Sequence, residues 1–184
     1  MKTEELEILV AKGEDSKTQF KENLTNARQL THEFVAFSNC MGGTIIVGVT
    51  DNGEVKGLSK NDLQRINQLI SNVSSENTKP PIYPETEVIQ FQNKNILVVY
   101  IPYGVHKPYC TKEGIFFTRS GADKRKISQG ELQRLFQESG KLYADEIRYP
   151  KAGFNDIDLK LFEDGLAFMT RNLKKLQQGQ NFNS

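Results

Sequence analysis

Two groups of residues in this 184-residue chain are of types that could do chemistry. The first is the run RSGADKRK, in which Arg119, Lys124, Arg125 and Lys126 place four positive charges in eight residues, against a single acid, Asp123. Ser120 and open backbone N–H groups at the glycine turn add donors, and Lys107 and Lys112 lie just upstream. Such a set suits hydrogen bonding to phosphate oxygens, with binding that weakens steeply as salt rises. The second group is acidic. Asp51 needs another carboxylate beside it, because one alone rarely holds a divalent ion for phosphodiester chemistry. Glu14 and Asp15, or Glu22 a little later, are the candidates.

Gly42-Gly43 could cradle a phosphate or end a helix. No P-loop lysine and no GxGxxG accompany the pair. The glycines also precede a strand and follow a helix, where the dipole is negative and repels anions. A helix stop with glycine at positive φ is the better reading. Asp51-Asn52-Gly53 is a strong turn signal, with Asn52 and Gly53 suited to the two central positions of a type I′ hairpin and Asp51 just before them.

Composition narrows the classes further. Hydrophobic residues make up 37% and charged residues 26%, so a core can form beneath a very polar surface. Net charge is +1, so only a local basic patch argues for nucleic acid. Cys40 and Cys110 are far apart, and His32 and His106 are the only histidines, which argues against a zinc ribbon, a disulfide framework or a His-rich metal site. No apolar stretch nears the ~20 residues of a membrane span, and the acidic N-terminus does not resemble a signal sequence. A cytoplasmic location is expected.

The elements that must position these groups follow from periodicity. Residues 3–12 predict a short helix with Leu6, Leu9 and Val10 inward and Gly13 as its stop. A short strand, 17–21, follows. Ala27, Leu30, Phe34, Phe37 and Met41 then repeat at helical spacing, facing a core. TIIVGV and ILVVYIP are continuously apolar, the pattern of strands covered on both faces. Ser59 and Asp62 make a near capping box for a helix with Leu63, Ile66, Leu69, Ile70 and Val73 inward. Residues 85–92 and GIFFTRSG read as strands, and Ser128 with Glu131 caps a helix with Leu132, Leu135 and Phe136 inward. Phe116, Phe117 and Tyr109 read as core and flank residues, and His106 as a loop residue. The order is α-β-α-β-β-α-β-β-β-α, an α+β fold with a mixed, mainly antiparallel sheet. We expect a domain over 1–139, a linker over 140–156 and, within 157–184, an amphipathic helix and polar tail. Leu159, Phe162, Leu166, Met169, Leu173 and Leu176 form a regular seam that wants a partner.

Four segments, in order, resemble the Schlafen/AlbA-like family, which has also been classed as a divergent AAA type. They are GEDSKTQFKEN, FVAFSNCMGGTIIVGVTDNGEVKGL, VVYIPYGVHKPYC and GIFFTRSGADKRKIS, together spanning about residues 5–138. The resemblance implies an α+β nucleic-acid-binding domain of the kind found in bacterial transcriptional regulators, binding DNA, with RNA as the alternative. Gly42, Gly43, Asn52 and Gly53 belong to its most diagnostic block. Longer relatives continue into further modules, so this chain is a short member or a fragment, with helix 157–176 forming a homodimer or docking to a neighbour. In eukaryotic Schlafens a related domain cleaves RNA with two glutamates and an aspartate. By position these fall on Glu14, Gln19 and Asp51. The neutral amide at 19 weakens that alternative, which alone would require Mg²⁺ or Mn²⁺. The leading expectation is a non-enzymatic binder without metal or cofactor. Arg119, Ser120, Lys124, Arg125 and Lys126 would hold phosphates, supported by Lys107 and Lys112. An oligomerisation module is the remaining alternative.

Overall fold

A computed structural model of the chain describes residues 1–140 together with Lys160, Leu166 and Ala167. The linker and the helix expected over 140–184 otherwise lie outside the described residues, as does their apolar seam apart from Leu166. The chain divides into two units, Met1–Tyr143 and Ala144–Ser184, and the first contains all of the following elements.

Helix α1 (Thr3–Lys12) stops at Gly13, whose φ of 83° continues the chain away from the axis. Strand β1 (Thr18–Lys21) leads into α2 (Ala27–Asn39), capped by the Asn26 side chain accepting from the Gln29 N–H. Strand β2 (Gly43–Val47) follows, then α3 (Lys60–Asn72) behind the Ser59/Asp62 capping box. A π-helical turn, Val73–Asn77, extends α3 into the two-residue strand β3 (Thr78–Lys79). Next come β4 (Glu85–Phe91), β5 (Lys94–Ile101), the short β6 (Cys110–Thr111), β7 (Phe117–Ser120), β8 (Asp123–Lys126) and α4 (Gln129–Glu138).

The main sheet runs β1-β2-β5-β4. The β1–β2 pair is parallel, joined through α2, and the other pairs are antiparallel. Alternation along β2 and β5 explains why both are apolar throughout. Ile45, Val47, Leu97, Val99 and Ile101 pack with α2 and α3 on one face, whereas Ile46, Ile96 and Val98 pack with Leu6 of α1 on the other. Each fully buried side chain of this size stabilises the fold by about 1.5–3 kcal/mol over leaving it exposed. The long-range antiparallel pair β3–β6 and the hairpin β7–β8 form two small separate sheets, and β7 packs against α2.

The glycine pair works as expected at the helix end. The Gly42 N–H donates to the Phe37 carbonyl at 2.9 Å, and Gly42 itself takes the left-handed φ of 71° that turns the chain off the helix end. A Cβ on Gly43 would collide with the Phe37 ring and lie 2.7 Å from the Lys17 carbonyl, so β2 can approach α2 this closely only with glycine there.

Several expectations are corrected. Met41 is 63% exposed, because α2 ends before its side chain can reach the core. The 51–53 turn is not of type I′. The Gly53 N–H donates to the Thr50 carbonyl at 2.9 Å, which makes Asp51 and Asn52 the central pair, and only Gly53 has positive φ, 80°. This is a three-residue hairpin loop ending in a left-handed glycine. The segment after it makes no named strand, only single bridges at Val55 and Leu58. There the N–H groups of Lys56 and Gly57 both donate to the Gly48 carbonyl, so regular pairing cannot continue. In α4 no residue is fully buried, and Leu132, Leu135 and Phe136 are only half covered. Among the described residues, no helix is long and apolar enough to cross a membrane.

Candidate functional site

Glu33 lies on the inward side of α2, three residues after Leu30 and four before Phe37, and is only 3% exposed. A buried carboxylate needs partners, and the β7–β8 hairpin supplies two cations. Arg119 Nη1 donates to Glu33 Oε2 at 3.2 Å and to Gln19 Oε1 at 2.6 Å, while its Nη2 donates to the Asp15 carbonyl at 3.0 Å. The guanidinium also sits 4.4 Å above the centre of the Phe37 ring. Lys124 Nζ completes the set at 2.5 Å from Glu33 Oε1. The hairpin, α2 and β1 therefore meet in one buried polar network. Within it, Arg119 Nε has no acceptor among the described residues.

Arg119, expected to hold phosphate, is thus corrected to a structural residue. It is 7% exposed and its guanidinium is committed to the interior. The cross-strand register separates Arg119 from Arg125, though not from Lys126. Arg119 pairs with Lys124 and Phe117 with Lys126, so these four share the hairpin face turned to α2, while Thr118 and Arg125 share the other. Arg125 reaches Glu131 of α4 with both terminal nitrogens, one at 2.8 Å. That contact holds the Glu131 carboxyl well below the usual carboxylate range. Ser120 is exposed at the hairpin tip, and Lys126 is exposed without an ion-pair partner among the described residues. Lys107 bends back, donating to the Cys40 carbonyl at 2.6 Å with its ammonium 3.8 Å over the Tyr103 ring. Lys112 is exposed.

Arg28 and His32 were missed as site residues. They stand four apart on the polar side of α2, a spacing visible in NARQLTHEF. His32 stacks on Phe117 with ring centres 4.2 Å apart. Burial first, then the charges of Lys124 and Arg28, push its pKa below the ordinary 6.5. Arg28 lies near Glu113 as well, beside Lys112. Arg28 and Lys112 accordingly line one recess with His32, Lys124 acts on it electrostatically, and Lys126 stands opposite Phe117 in the register. Glu33 was also missed, although an acid on the apolar stripe of an amphipathic helix signals a buried pair.

The acids are engaged locally. Glu14 Oε1 accepts from the Phe20 N–H at 2.6 Å, which anchors β1. Asp15 accepts from the N–H groups of Lys17 and Thr18, each at 2.8 Å. Its hydrogen bond from the Lys12 ammonium, followed by these N–H groups, holds the Asp15 carboxyl down at about 2. Gln19 is buried against Arg119, and Asp51 is exposed at its turn beside Asn52. Among the described residues no three His, Cys, Asp or Glu side chains cluster as a metal site would require.

Comparison with known proteins gives one family and a fold likeness. A family model described as "Schlafen, AlbA_2" matches residues 14–128. The crystal structure of the DIP2311 protein from Corynebacterium diphtheriae is similar at a TM-score of 0.54 and 17% identity, over 74% of this chain and 32% of that one. The chain thus spans about a third of that protein's length. A second similar structure is the N-terminal domain of a protein from Nitrosomonas europaea, named as related to the ATP-dependent DNA helicase RecG. Its TM-score is 0.41 at 21% identity, over 69% of this chain and 92% of that one.

Proposed function

The chain belongs to the Schlafen AlbA_2 family, whose model covers residues 14–128, and from this we propose that it is a nucleic-acid-binding module acting on DNA within a transcriptional regulator. The observation that carries the proposal is that Arg28 and Lys112 line one recess with His32, both exposed and without ion-pair partners among the described residues, while Lys126, likewise exposed and unpaired there, stands opposite Phe117 in the β7–β8 register. Cations left open to solvent on one face can replace the counterions of a phosphate backbone. Lys124 adds charge from the edge of the buried network, whereas Ser120 and Arg125 belong to the other face of the hairpin, where Arg125 is paired with Glu131. The contacts are to phosphates, so sequence preference is weak.

The test is fluorescence anisotropy with duplex and single-stranded DNA and RNA across a salt series. For R28E/K112E/K126E we expect a large loss of affinity at low salt, and a salt slope shallower by roughly 1 for each phosphate contact removed. Unchanged affinity at low salt would sink the proposal.

We also propose that the module binds without cutting and needs no metal. Gln19 brings no charge to the position of the second Schlafen glutamate, and Glu14 is occupied at Phe20. Incubating structured RNA with Mn²⁺ should leave it intact. Cleavage that disappears in Asp51→Ala would overturn this part.

A further inference from the structure

Beside the basic face, α2 and the 111–114 turn enclose a cavity of about 190 Å³, lined by Arg28, Thr31, His32, Asn77, Lys112 and Glu113, among others. It is smaller than the roughly 300–1,000 Å³ of sites for drug-sized ligands, so it suits one ring system. Its wall includes an aromatic ring with firm backing. The His32 imidazole lies on Phe117, with ring planes 26° apart, and Phe117 is buried. One ring face is therefore covered while the residue still lines the cavity. Neither ring nitrogen of His32 makes a hydrogen bond among the described residues. Burial and the neighbouring cations lower its proton affinity, which favours the neutral imidazole.

Two polar groups complete the lining. The Asn77 side-chain amide makes no hydrogen bond among the described residues, although the Asn77 carbonyl accepts from the Lys112 N–H at 2.9 Å. Asn77 closes the π-helical turn, a local structure that recurs at functional sites. A free amide can donate and accept along the edge of a base. Glu113, by contrast, is a carboxylate whose proton affinity is lowered first by the Thr111 hydroxyl, with smaller contributions from Lys112 and Arg28. It disfavours a phosphate inside the cavity but can accept from an exocyclic amino group. Arg28 and Lys112 flank the opening with positive charge.

We propose that this cavity takes one unpaired nucleobase of the bound strand, stacked on His32 and edged by Asn77, with the adjoining phosphates on Arg28 and Lys112. This rests on the module binding nucleic acid, and it adds that single strands or extruded bases are preferred to intact duplex. A base paired inside a duplex cannot enter a cavity that holds a single base, whereas unpaired bases stack readily on aromatic side chains.

The experiment compares a single-stranded oligonucleotide carrying 2-aminopurine with its duplex, using the intact chain. The single strand should bind more tightly, and its 2-aminopurine fluorescence should be quenched on saturation. His32→Ala should weaken single-strand binding about tenfold, the scale of one base–aromatic stack, and weaken duplex binding clearly less. His32→Phe, which keeps a ring on Phe117, should restore both affinity and quenching. Fluorescence that stays unchanged on saturation of the unaltered protein overturns the proposal without any variant. Equal loss on both substrates, or no loss on either, in His32→Ala also overturns it. If R28E/K112E/K126E binds both substrates as well as the original chain, the underlying nucleic-acid reading fails instead.

Discussion

The inner and outer cations of the β7–β8 hairpin come from one eight-residue run, yet they face opposite physical situations. Arg119 and Lys124 turn towards α2 and neutralise the buried Glu33, Arg119 from the interior and Lys124 from its partly exposed edge. Arg125 and Lys126 are exposed, one paired with Glu131 across a wet surface and the other open. The lesson is that charge density in a sequence does not tell binding from scaffolding. What tells them apart is whether a buried carboxylate lies beneath the side chain, since Lys126 shares the strand face of Arg119 and Lys124 yet stays exposed and unpaired among the described residues. A cation facing a buried carboxylate is part of the fold, whereas its neighbour in the chain is free to meet a phosphate.

The comparison can be broken most directly at Arg119. Arg119→Ala should destabilise the domain by about 1.5–3 kcal/mol, because Gln19 loses its buried charged donor while Glu33 keeps only Lys124. Denaturant unfolding measures this, and a loss below about 1 kcal/mol would place Arg119 with the outer group. His32 lies between the two groups and gives a smaller effect. Its folded-state pKa is depressed below 6.5 by burial and by Lys124 and Arg28, against the opposing pull of Glu113 and Glu33. The unfolded chain therefore binds the proton more readily, so stability is lost as pH falls below 6.5 and is fully present above it. Unfolding midpoints at pH 8 and pH 5 should differ more for the original chain than for His32→Phe. Equal differences would show that His32 does not feel the inner charges. The smallest effect is expected at Arg125, where Arg125→Ala should leave the thermal midpoint unchanged within error, as for an exposed ion pair. A clear drop would move Arg125 to the inner set.

Much of the fold was legible. The Ser59 and Ser128 boxes, the stop at Gly42-Gly43 and the two doubly covered strands depend on neighbours a few residues away, and each formed as the spacing implied. The turn at 51–53 was misassigned because Asp51, Asn52 and Gly53 suit two hairpin geometries, and flanking pairing selects between them. The basic run was recognisable as a cluster, but its sorting was not. Arg28 and His32 were within reach as an i, i+4 pair on a polar helix face, and went unnoticed because neither is part of a charge run. Glu33 could have warned that one basic residue would be needed inside.

From the sequence alone came the α+β class, the Schlafen/AlbA-like resemblance and the location of positive charge, since caps, periodicity and short motifs are local properties of the chain. Only the tertiary structure decided which cations are interior. Arg119 meets Gln19 across 100 residues of chain and Glu33 across 86. No local pattern encodes such a meeting. It arises because β7 packs against α2 where a buried carboxylate already waits, and desolvating that carboxylate without a partner would cost more than the fold can spare.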